Sequence, residues 1–272
     1  MNRPDTPQTV FPIADVQSGS DERELAIDQV GIKGLRYPLQ FADSDGVAQP
    51  TIADCNVYVA LPAERKGTHM SRLVALLESR SEPGAPPLTL AGFRGLLDAL
   101  LVLLEAPGGR IEMAFPFFVR KTAPVSGVAS RLDYAVRITG AIEDGRYRQV
   151  VSVAVPVTSL CPCSKEISEY GAHNQRSLVT VTVAPGSPLY LTEIIRVAEE
   201  EASCELYGLL KRADEKYVTE RAYDNPKFVE DLVRGIAARL QTDPRVDGFV
   251  VEAENFESIH NHSAYARIAR GL

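Results

Sequence analysis

Residues 158–177 carry the densest set of reactive side chains in this sequence. They read TSLCPCSKEISEYGAHNQRS and include two of the four cysteines and one of the four histidines of the chain. Alternating valines precede this stretch at 151–157 and follow it at 179–183, a pattern that predicts two strands. We therefore expect the stretch to connect these strands and to present its thiols and imidazole at their ends.

Cys161 and Cys163 flank a single proline, which biases the residue before it towards an extended conformation. If all three residues are extended, both thiols leave the same side of the chain. One interpretation is a pair of small buried residues, because free cysteine is among the most buried residue types. The other is one thiolate metal ligand beside one free, reactive thiol, and the nearby His173 favours this second interpretation.

His173 lies in a polar, glycine-led run in which an imidazole has no apolar surface to cover. A solvated loop histidine is the alternative to a metal ligand. Because one cysteine and one histidine do not complete a metal site, a further ligand must come from elsewhere in the chain. Residue type leaves three candidates open: Glu215, Glu257 and His260.

Two further carboxylates, those of Glu257 and Glu230, are candidate site residues. Glu257 forms a titratable group with His260 and His262. The alternative to a functional role for this group is a polar hairpin near the end of the chain. Glu230 lies in the first turns of a predicted helix, where an acid is favoured by the helix dipole. A buried carboxylate there could instead accept two N–H donors from a guanine edge.

The composition is that of an ordinary soluble protein. At 272 residues with 45% apolar content, the chain can bury a full core. It has no run of about 18 apolar residues and no signal-peptide core, so we expect a cytoplasmic protein without a membrane partner. Irregularly spaced cysteines in that compartment are expected to be reduced.

The formal net charge of −7 argues against a nucleic-acid partner, which would need a basic surface to neutralise phosphates. A small anionic substrate remains compatible, since a local basic pair can hold a triphosphate. The candidate pairs are Arg120 with Lys121 and Lys165 with Arg176. No Walker-type or Rossmann glycine motif occurs, so nucleotide binding would require a different fold.

Hydrophobic periodicity divides the chain after an N-terminal arm, residues 1–25, which we expect to be disordered. Residues 26–142 read strand, strand, helix, helix, strand, strand. An Asp-Gly hairpin at 143–146 then leads into a second half, residues 143–272, whose elements follow a similar order. The pattern predicts an α+β fold of two antiparallel ββααββ-type modules.

Within the second half we expect one continuous helix over 191–212, with Cys204 off its apolar stripe. A further helix is predicted to start with Asn225 as N-cap and Pro226 at its first position. Sheets with helices on one face leave the other face bare. We expect it to be covered by closing a barrel between subunits.

Three segments together resemble the prokaryotic type IB GTP cyclohydrolase I family, and the resemblance covers nearly the whole chain after the arm. They are SLCPCSKEISEYGAHNQRS at 159–177, KGTHMSR at 66–72 and NFESIHNHSAYA at 255–266. The resemblance implies a bimodular tunnelling fold and a homotetramer with active sites at subunit interfaces. It also implies an enzyme that converts GTP and water to formate and 7,8-dihydroneopterin triphosphate, the first step of folate biosynthesis.

The resemblance also implies roles for individual residues. Cys161, His173 and Glu215 match the metal ligands of the family, with Glu257 or His260 as alternative ligands. The matches for the other roles are Cys163 as the free active-site thiol, Glu230 as the purine anchor, and Glu257 and His260 as polar groups at the reaction centre. Cys161 is expected to take part in catalysis as a ligand of the metal. Lys165 and Arg176 are expected to contact the triphosphate.

The implied reaction explains these residue types. Opening the imidazole ring at C8 requires a hydroxide at neutral pH, which a divalent metal provides by lowering the pKa of bound water. Loss of formate and rearrangement of the ribose require proton transfer, for which a histidine, a carboxylate and a thiol are suited. A mixed Cys/His/Glu set accepts zinc, manganese or iron.

Two other functions fit parts of the pattern. A tunnelling-fold nitrile reductase acting on a deazaguanine also pairs a cysteine with a purine-anchoring glutamate. It would consume NADPH and have no use for His173 and Glu215. A non-enzymatic metal or thiol module would instead hold metal with every coordination position filled and would not turn over GTP.

Overall fold

The computed structural model describes residue 17 and residues 19–272, and within them the chain folds into nine strands and six helices. The strands are β1 (Ile27–Phe41), β2 (Gln49–Leu61), β3 (Gly109–Thr122), β4 (Ala129–Glu143), β5 (Arg146–Leu160), β6 (Asn174–Pro185), β7 (Cys204–Glu205), β8 (Val246–Asn255) and β9 (Ala264–Arg270). The helices are α1 (Met70–Glu78), α2 (Phe93–Leu104), α3 (Pro162–Ile167), α4 (Leu191–Glu201), α5 (Arg212–Asp224) and α6 (Val229–Thr242).

One antiparallel sheet runs through the described part of the chain in the order β1-β2-β3-β4-β5-β6-β8-β9, with the short β7 added beside β5. The predicted hairpin between the halves is present, with Glu143 opposite Arg146. Asp144 and Gly145 both have positive φ angles, 49° and 72°, as a tight hairpin turn requires. The predicted α+β class is therefore confirmed, while the division at 142/143 into two modules stays a prediction.

The core lies between one face of this sheet and the helices. Every second residue of the central strands is buried, for example Val151, Val153 and Val155 of β5, each 0% exposed. Full burial of one such valine stabilises the fold by about 1.5–3 kcal/mol. The intervening residues face away from the helices and keep partial exposure. This alternation explains why the sequence pattern located the strands.

The predicted helix over 191–212 is wrong in its second half. Helix α4 ends at Glu201, and Cys204 and Glu205 pair with Thr158 and Val157 of β5. Cys204, predicted to lie off the apolar stripe of that helix, is instead buried in this contact at 1% exposure. Further on, a Cβ at Gly208 would meet the carbonyl oxygen of Arg131 at 2.8 Å, so packing against β4 shapes this connection.

The predicted start of the last helix is also wrong. Asn225 ends α5 rather than starting α6, and its side-chain amide donates to the carbonyl of Ala202 at 2.9 Å. Helix α6 begins at Val229 with Phe228 as N-cap, whose N–H donates to the Asp231 carboxylate at 3.1 Å. The segment between α5 and α6 brings the chain back to the end of β5, where the N–H of Lys227 donates to the carbonyl of Leu160.

Two buried or half-buried aspartates join the halves of the chain. Asp43, in the β1–β2 connection, accepts hydrogen bonds from the first N–H groups of α4, those of Leu191 and Thr192. Asp214 in α5 accepts from the β3–β4 turn, through Val125 and Ser126. Both contacts place helices of the second half on loops of the first.

Most of the arm expected at residues 1–25 lies outside the described residues. Within it, Gly19 and Asp21 hydrogen-bond to the backbone of Lys66 and Glu64.

Among the helices that the structure describes, none is both long and apolar enough to cross a membrane.

Candidate active site at the ends of β5, β6 and β8

The chemistry-bearing residues gather where β5 ends and β6 begins. Leu160, the last residue of β5, pairs with Asn174, the first of β6, so Cys161 and His173 directly flank this pair. The N–H of Cys161 donates to the carbonyl of His173 at 3.2 Å. The prediction that 158–177 connects two strands is thus confirmed, and the connection brings Cys161 and His173 side by side.

Ser164 ties these two residues together. Its Oγ donates to the carbonyl of Cys161 at 3.1 Å and accepts from the N–H of His173 at 3.2 Å. Its own N–H donates to Cys161 Sγ at 3.5 Å. One serine therefore fixes the backbone of both residues and the direction of the Cys161 sulfur.

The expectation of an extended Cys-Pro-Cys unit is wrong. Cys161 itself is extended, with φ −72° and ψ 118°, but it is the N-cap of α3. Pro162 occupies the first helical position, which its fixed φ favours, and Cys163 lies in the first turn. Cys161 is half-buried and Cys163 is exposed, so the two thiols do not leave one side of an extended chain.

The imidazole of His173 faces three polar side chains. Its Nδ1 lies 3.0 Å from Gln175 Oε1, 3.4 Å from Ser258 Oγ and 3.9 Å from Glu257 Oε2. Gln175 Nε2 donates in turn to Glu257 Oε1 at 3.5 Å. The side chains of His173 and Glu257 are 14% and 13% exposed, so they converge in a largely desolvated corner.

Cys161, Ser164, His173, Gln175, Glu257 and Ser258 together form the cluster at the candidate site. The sequence analysis did not identify Gln175 and Ser164 as members of this cluster. Gln175 could have been found, because residues two apart in a strand share a face and His173 immediately precedes β6. Ser164 had no such signal, since its role depends on the turn into α3.

Among the described residues, the side chains of the other two candidate ligands, Glu215 and His260, make no hydrogen bond or ion pair with this cluster. His260 is exposed and stacks on His262, with the ring centroids 5.1 Å apart. Glu215 is exposed in the first turn of α5. Within the described residues, no three His, Cys, Asp or Glu side chains converge closely enough to hold a metal ion.

Helix α5 nevertheless lies against the strand ends that carry the cluster. Val218 and Ala222 pack in a small apolar group with Leu160 and Ala172, the neighbours of Cys161 and His173. Glu215 precedes Val218 by three residues and Ala222 by seven, so it shares their helix face. The face of α5 that carries Glu215 is therefore the one directed towards the cluster.

Helix α6 approaches the same strand end. The N–H of Lys227 donates to the carbonyl of Leu160 at 3.1 Å, which fixes the segment before α6 against the last residue of β5. Glu230 follows three residues later in the first turn of α6 and is exposed. Its carboxylate is thus available to a ligand beside the cluster.

The expected phosphate contacts are placed differently. Lys165 Nζ donates to the carbonyl of Tyr223 at 2.5 Å and lies 4.3 Å from the centroid of the Tyr223 ring, so it ties α3 to α5. Arg176 is exposed between the buried Gln175 and Ser177 of β6. Its side chain therefore leaves the strand on the face opposite Gln175.

Lys121, the other basic candidate, is not available to a substrate. It is 8% exposed, and its Nζ donates to Glu199 at 2.7 Å and to Glu205 at 2.6 Å. Burial raises the pKa of Glu199 above its usual value, although Lys121 and Tyr134 both donate to it. This network joins the end of β3 to α4 and β7.

The fold resembles solved structures of low sequence identity. The uricase from Arthrobacter globiformis matches with a TM-score of 0.51 at 10% identity, over 89% of this chain and 93% of that one. The urate oxidase of Bacillus sp. TB-90 matches with a TM-score of 0.51 at 9% identity, over 90% and 99%. These are tunnelling-fold proteins, so the predicted fold is confirmed.

Closer relatives are found by sequence. GTP cyclohydrolase FolE2 of Thiobacillus denitrificans is 57% identical over 260 residues, which cover 96% of this chain and 95% of that protein. GTP cyclohydrolase FolE2 of Burkholderia ambifaria (strain MC40-6) is 60% identical over 260 residues, with the same coverage of the two proteins, 96% and 95%. A family model described as type I GTP cyclohydrolase FolE2 matches residues 13–266, so the chain belongs to the type I GTP cyclohydrolase FolE2 family.

Proposed function

We propose that this chain performs the GTP cyclohydrolase I reaction at the cluster formed by Cys161, His173 and Glu257. Its family makes it an enzyme that acts on GTP and contributes to folate biosynthesis. The products are formate and 7,8-dihydroneopterin triphosphate. The observation that carries the assignment to this cluster is that the backbone of Cys161 bonds to that of His173 at one end of the sheet, while the largely desolvated imidazole of His173 lies 3.9 Å from the carboxylate of Glu257.

We assign Cys161, His173 and Glu215 as the ligands of a divalent metal. Thiolate, imidazole and carboxylate are together the donor set that zinc, manganese and iron accept. Cys161 and His173 are already joined through their backbones, and Glu215 lies on the helix face directed towards them. When bound, such a metal would supply the Lewis acidity that lowers the pKa of water towards neutrality.

Proton transfers fall to the side chains around the ligands. Glu257 is positioned by Gln175 and is only 13% exposed, so its carboxylate is placed to accept a proton from the reacting groups. His260 is exposed three residues after Glu257, and we assign it to the reaction centre as a second proton-transfer group. Cys163, exposed in the first turn of α3, supplies a thiol that no metal ligand role occupies.

Substrate recognition is assigned to Glu230, Lys165 and Arg176. The Glu230 carboxylate can accept from N1–H and the exocyclic amine of guanine, a pair of donors that adenine lacks. Lys165 would exchange its contact with the Tyr223 carbonyl for a phosphate oxygen. Arg176 points to the other face of the sheet, so it would serve a site completed by a neighbouring subunit.

We propose a homotetramer, because a site that uses Arg176 has to be completed by a neighbouring subunit. Strands β1 and β9 are the edges of the sheet, and bare edges are usually covered in native proteins. The sheet face away from the helices exposes Ile52, Phe118 and Tyr265, which are 61%, 39% and 58% exposed. Association of further copies would cover both features and bring Arg176 to a site.

Removal and return of metal tests the proposed reaction. Protein stripped by a chelator should release no formate from GTP, and zinc, manganese or iron should restore both formate and a pterin that fluoresces after oxidation. Undiminished formate release from stripped protein would contradict the metal assignment. Consumption of NADPH with a deazaguanine nitrile would indicate the reductase instead, and bound metal without any turnover of GTP would indicate a non-enzymatic module.

A further inference from the structure

We propose that Gln175 is a positioning residue that sets the tautomer of His173 and thereby selects the imidazole nitrogen that binds metal. The inference deepens the proposed function, since it rests on His173 as a metal ligand. Gln175 is largely buried, at 9% exposure, and lies on the same side of the chain as His173 two residues earlier. It bridges His173 and Glu257, which are otherwise 3.9 Å apart.

The orientation of the Gln175 amide follows from its partner. Glu257 Oε1 lies 3.5 Å from Nε2 of the amide, and an ionised carboxylate has only acceptors. The NH2 group must therefore face Glu257, which leaves the amide oxygen 3.0 Å from His173 Nδ1. Because an amide oxygen only accepts, Nδ1 must carry the proton.

The other neighbours of Nδ1 agree with this assignment. Glu257 Oε2, 3.9 Å away, is a second atom that only accepts. Ser258 Oγ, 3.4 Å away, can either donate or accept and so imposes no tautomer. With the proton on Nδ1, the lone pair of the neutral ring lies on Nε2, which is then the nitrogen able to bind a metal.

This arrangement has a particular chemical consequence. Metal-binding histidines commonly donate their second N–H to a carboxylate or carbonyl, which fixes the ring orientation. Here a neutral amide stands between the imidazole and the carboxylate of Glu257. The amide fixes the tautomer and at the same time orients Glu257, so one residue positions both a proposed ligand and a proposed proton carrier.

The test uses Gln175→Met, which keeps the length of the side chain and removes the amide. Gln149→Met is the matched control, because Gln149 also uses its amide, donating to the Leu90 carbonyl at 3.0 Å, but lies elsewhere in the sheet. Metal-free proteins labelled with 15N only at histidine are compared by magic-angle-spinning NMR, with His173 identified from a His173→Gln sample. Zinc affinity of each protein is measured separately by competition with a chromophoric chelator.

We expect His173 to be protonated at Nδ1 in the unmodified protein and in Gln149→Met. Gln175→Met should shift His173 towards the Nε2–H form and weaken zinc binding by about 10–100-fold. An Nε2–H form in the unmodified protein would overturn the proposal, as would a Gln175→Met protein with unchanged tautomer and zinc affinity. If Gln175→Met fails to fold, the spectrum of the unmodified protein alone decides. An Nδ1–H tautomer in a protein that binds no zinc would contradict the metal assignment and leave the role of Gln175 standing.

Discussion

Cys161 and Cys163 are only two positions apart, but their thiols have different chemical environments. Cys161 caps α3 and receives an N–H from Ser164, whereas Cys163 is exposed in the first turn of the helix. The proline between them produces the difference, because it starts the helix immediately after Cys161. A fixed, half-buried sulfur suits a ligand, and an exposed thiol suits reaction with substrate.

At the same scale, Glu230→Gln should lower kcat/KM for GTP by about 10–100-fold, since an amide offers one acceptor and one donor to two guanine N–H groups. ATP should be rejected by the unmodified enzyme, because its adenine edge leaves the carboxylate without matching donors. Steady-state kinetics of formate release measure both effects. Glu220→Gln, an exposed change on α5 that removes the pairing with Lys216, should leave kcat/KM unchanged. Unchanged kcat/KM in Glu230→Gln would remove Glu230 from the site.

At the scale of elements, α5 depends on a contact with the other half of the chain. Asp214 in its first turn is fully buried and accepts hydrogen bonds from Val125, Ser126 and Lys211. Burial alone would raise the pKa of this carboxyl, but the hydrogen bonds from Ser126, Lys211 and Val125 together hold it below its ordinary value. The β3–β4 turn thereby fixes the start of the helix that carries Glu215.

Asp214→Asn should lower the thermal unfolding temperature at pH 7, because an amide cannot accept all of these hydrogen bonds. A carboxyl whose pKa is depressed in the folded state stabilises the protein above its unfolded pKa of about 3.9 and loses that contribution as the pH falls through the folded value. The difference between Asp214→Asn and the unmodified protein should therefore shrink below about pH 4. Asp224→Asn, an exposed change at the end of the same helix, is the control and should show little effect at either pH. A pH-independent difference would refute the ionic role of Asp214.

Periodicity located the long strands and α1, α2 and most of α6, because each buries one regular face. It failed where tertiary contacts decide the structure. Helix α5 buries only Asp214 and Ala222, so it has too little apolar periodicity to be detected, and the pairing of Cys204 with Thr158 interrupts the run that looked like one helix. The residue types of the site were readable from the sequence, but the bridging of His173 and Glu257 by Gln175 needed the register of the strands.

At the scale of the whole molecule, the sheet formed by the described residues has two edges and one face that no described helix covers. Multi-angle light scattering of the active protein should give four times the chain mass of 29.7 kDa. The expectation follows from the bare edges of β1 and β9 and the exposed apolar residues on the open face. A monomer with full activity would contradict both the tetramer and the assignment of Arg176 to a shared site.

The most direct test of the account compares Cys161→Ala with Cys163→Ala, since the central claim is that this one loop divides metal binding from thiol chemistry. Bound metal is measured by elemental analysis, beside GTP binding and formate release, for both variants and the unmodified enzyme. Cys161→Ala should lose metal and activity together, whereas Cys163→Ala should keep its metal and bind GTP but release no formate. Equal loss of metal in both variants, or full turnover by Cys163→Ala, would contradict the account.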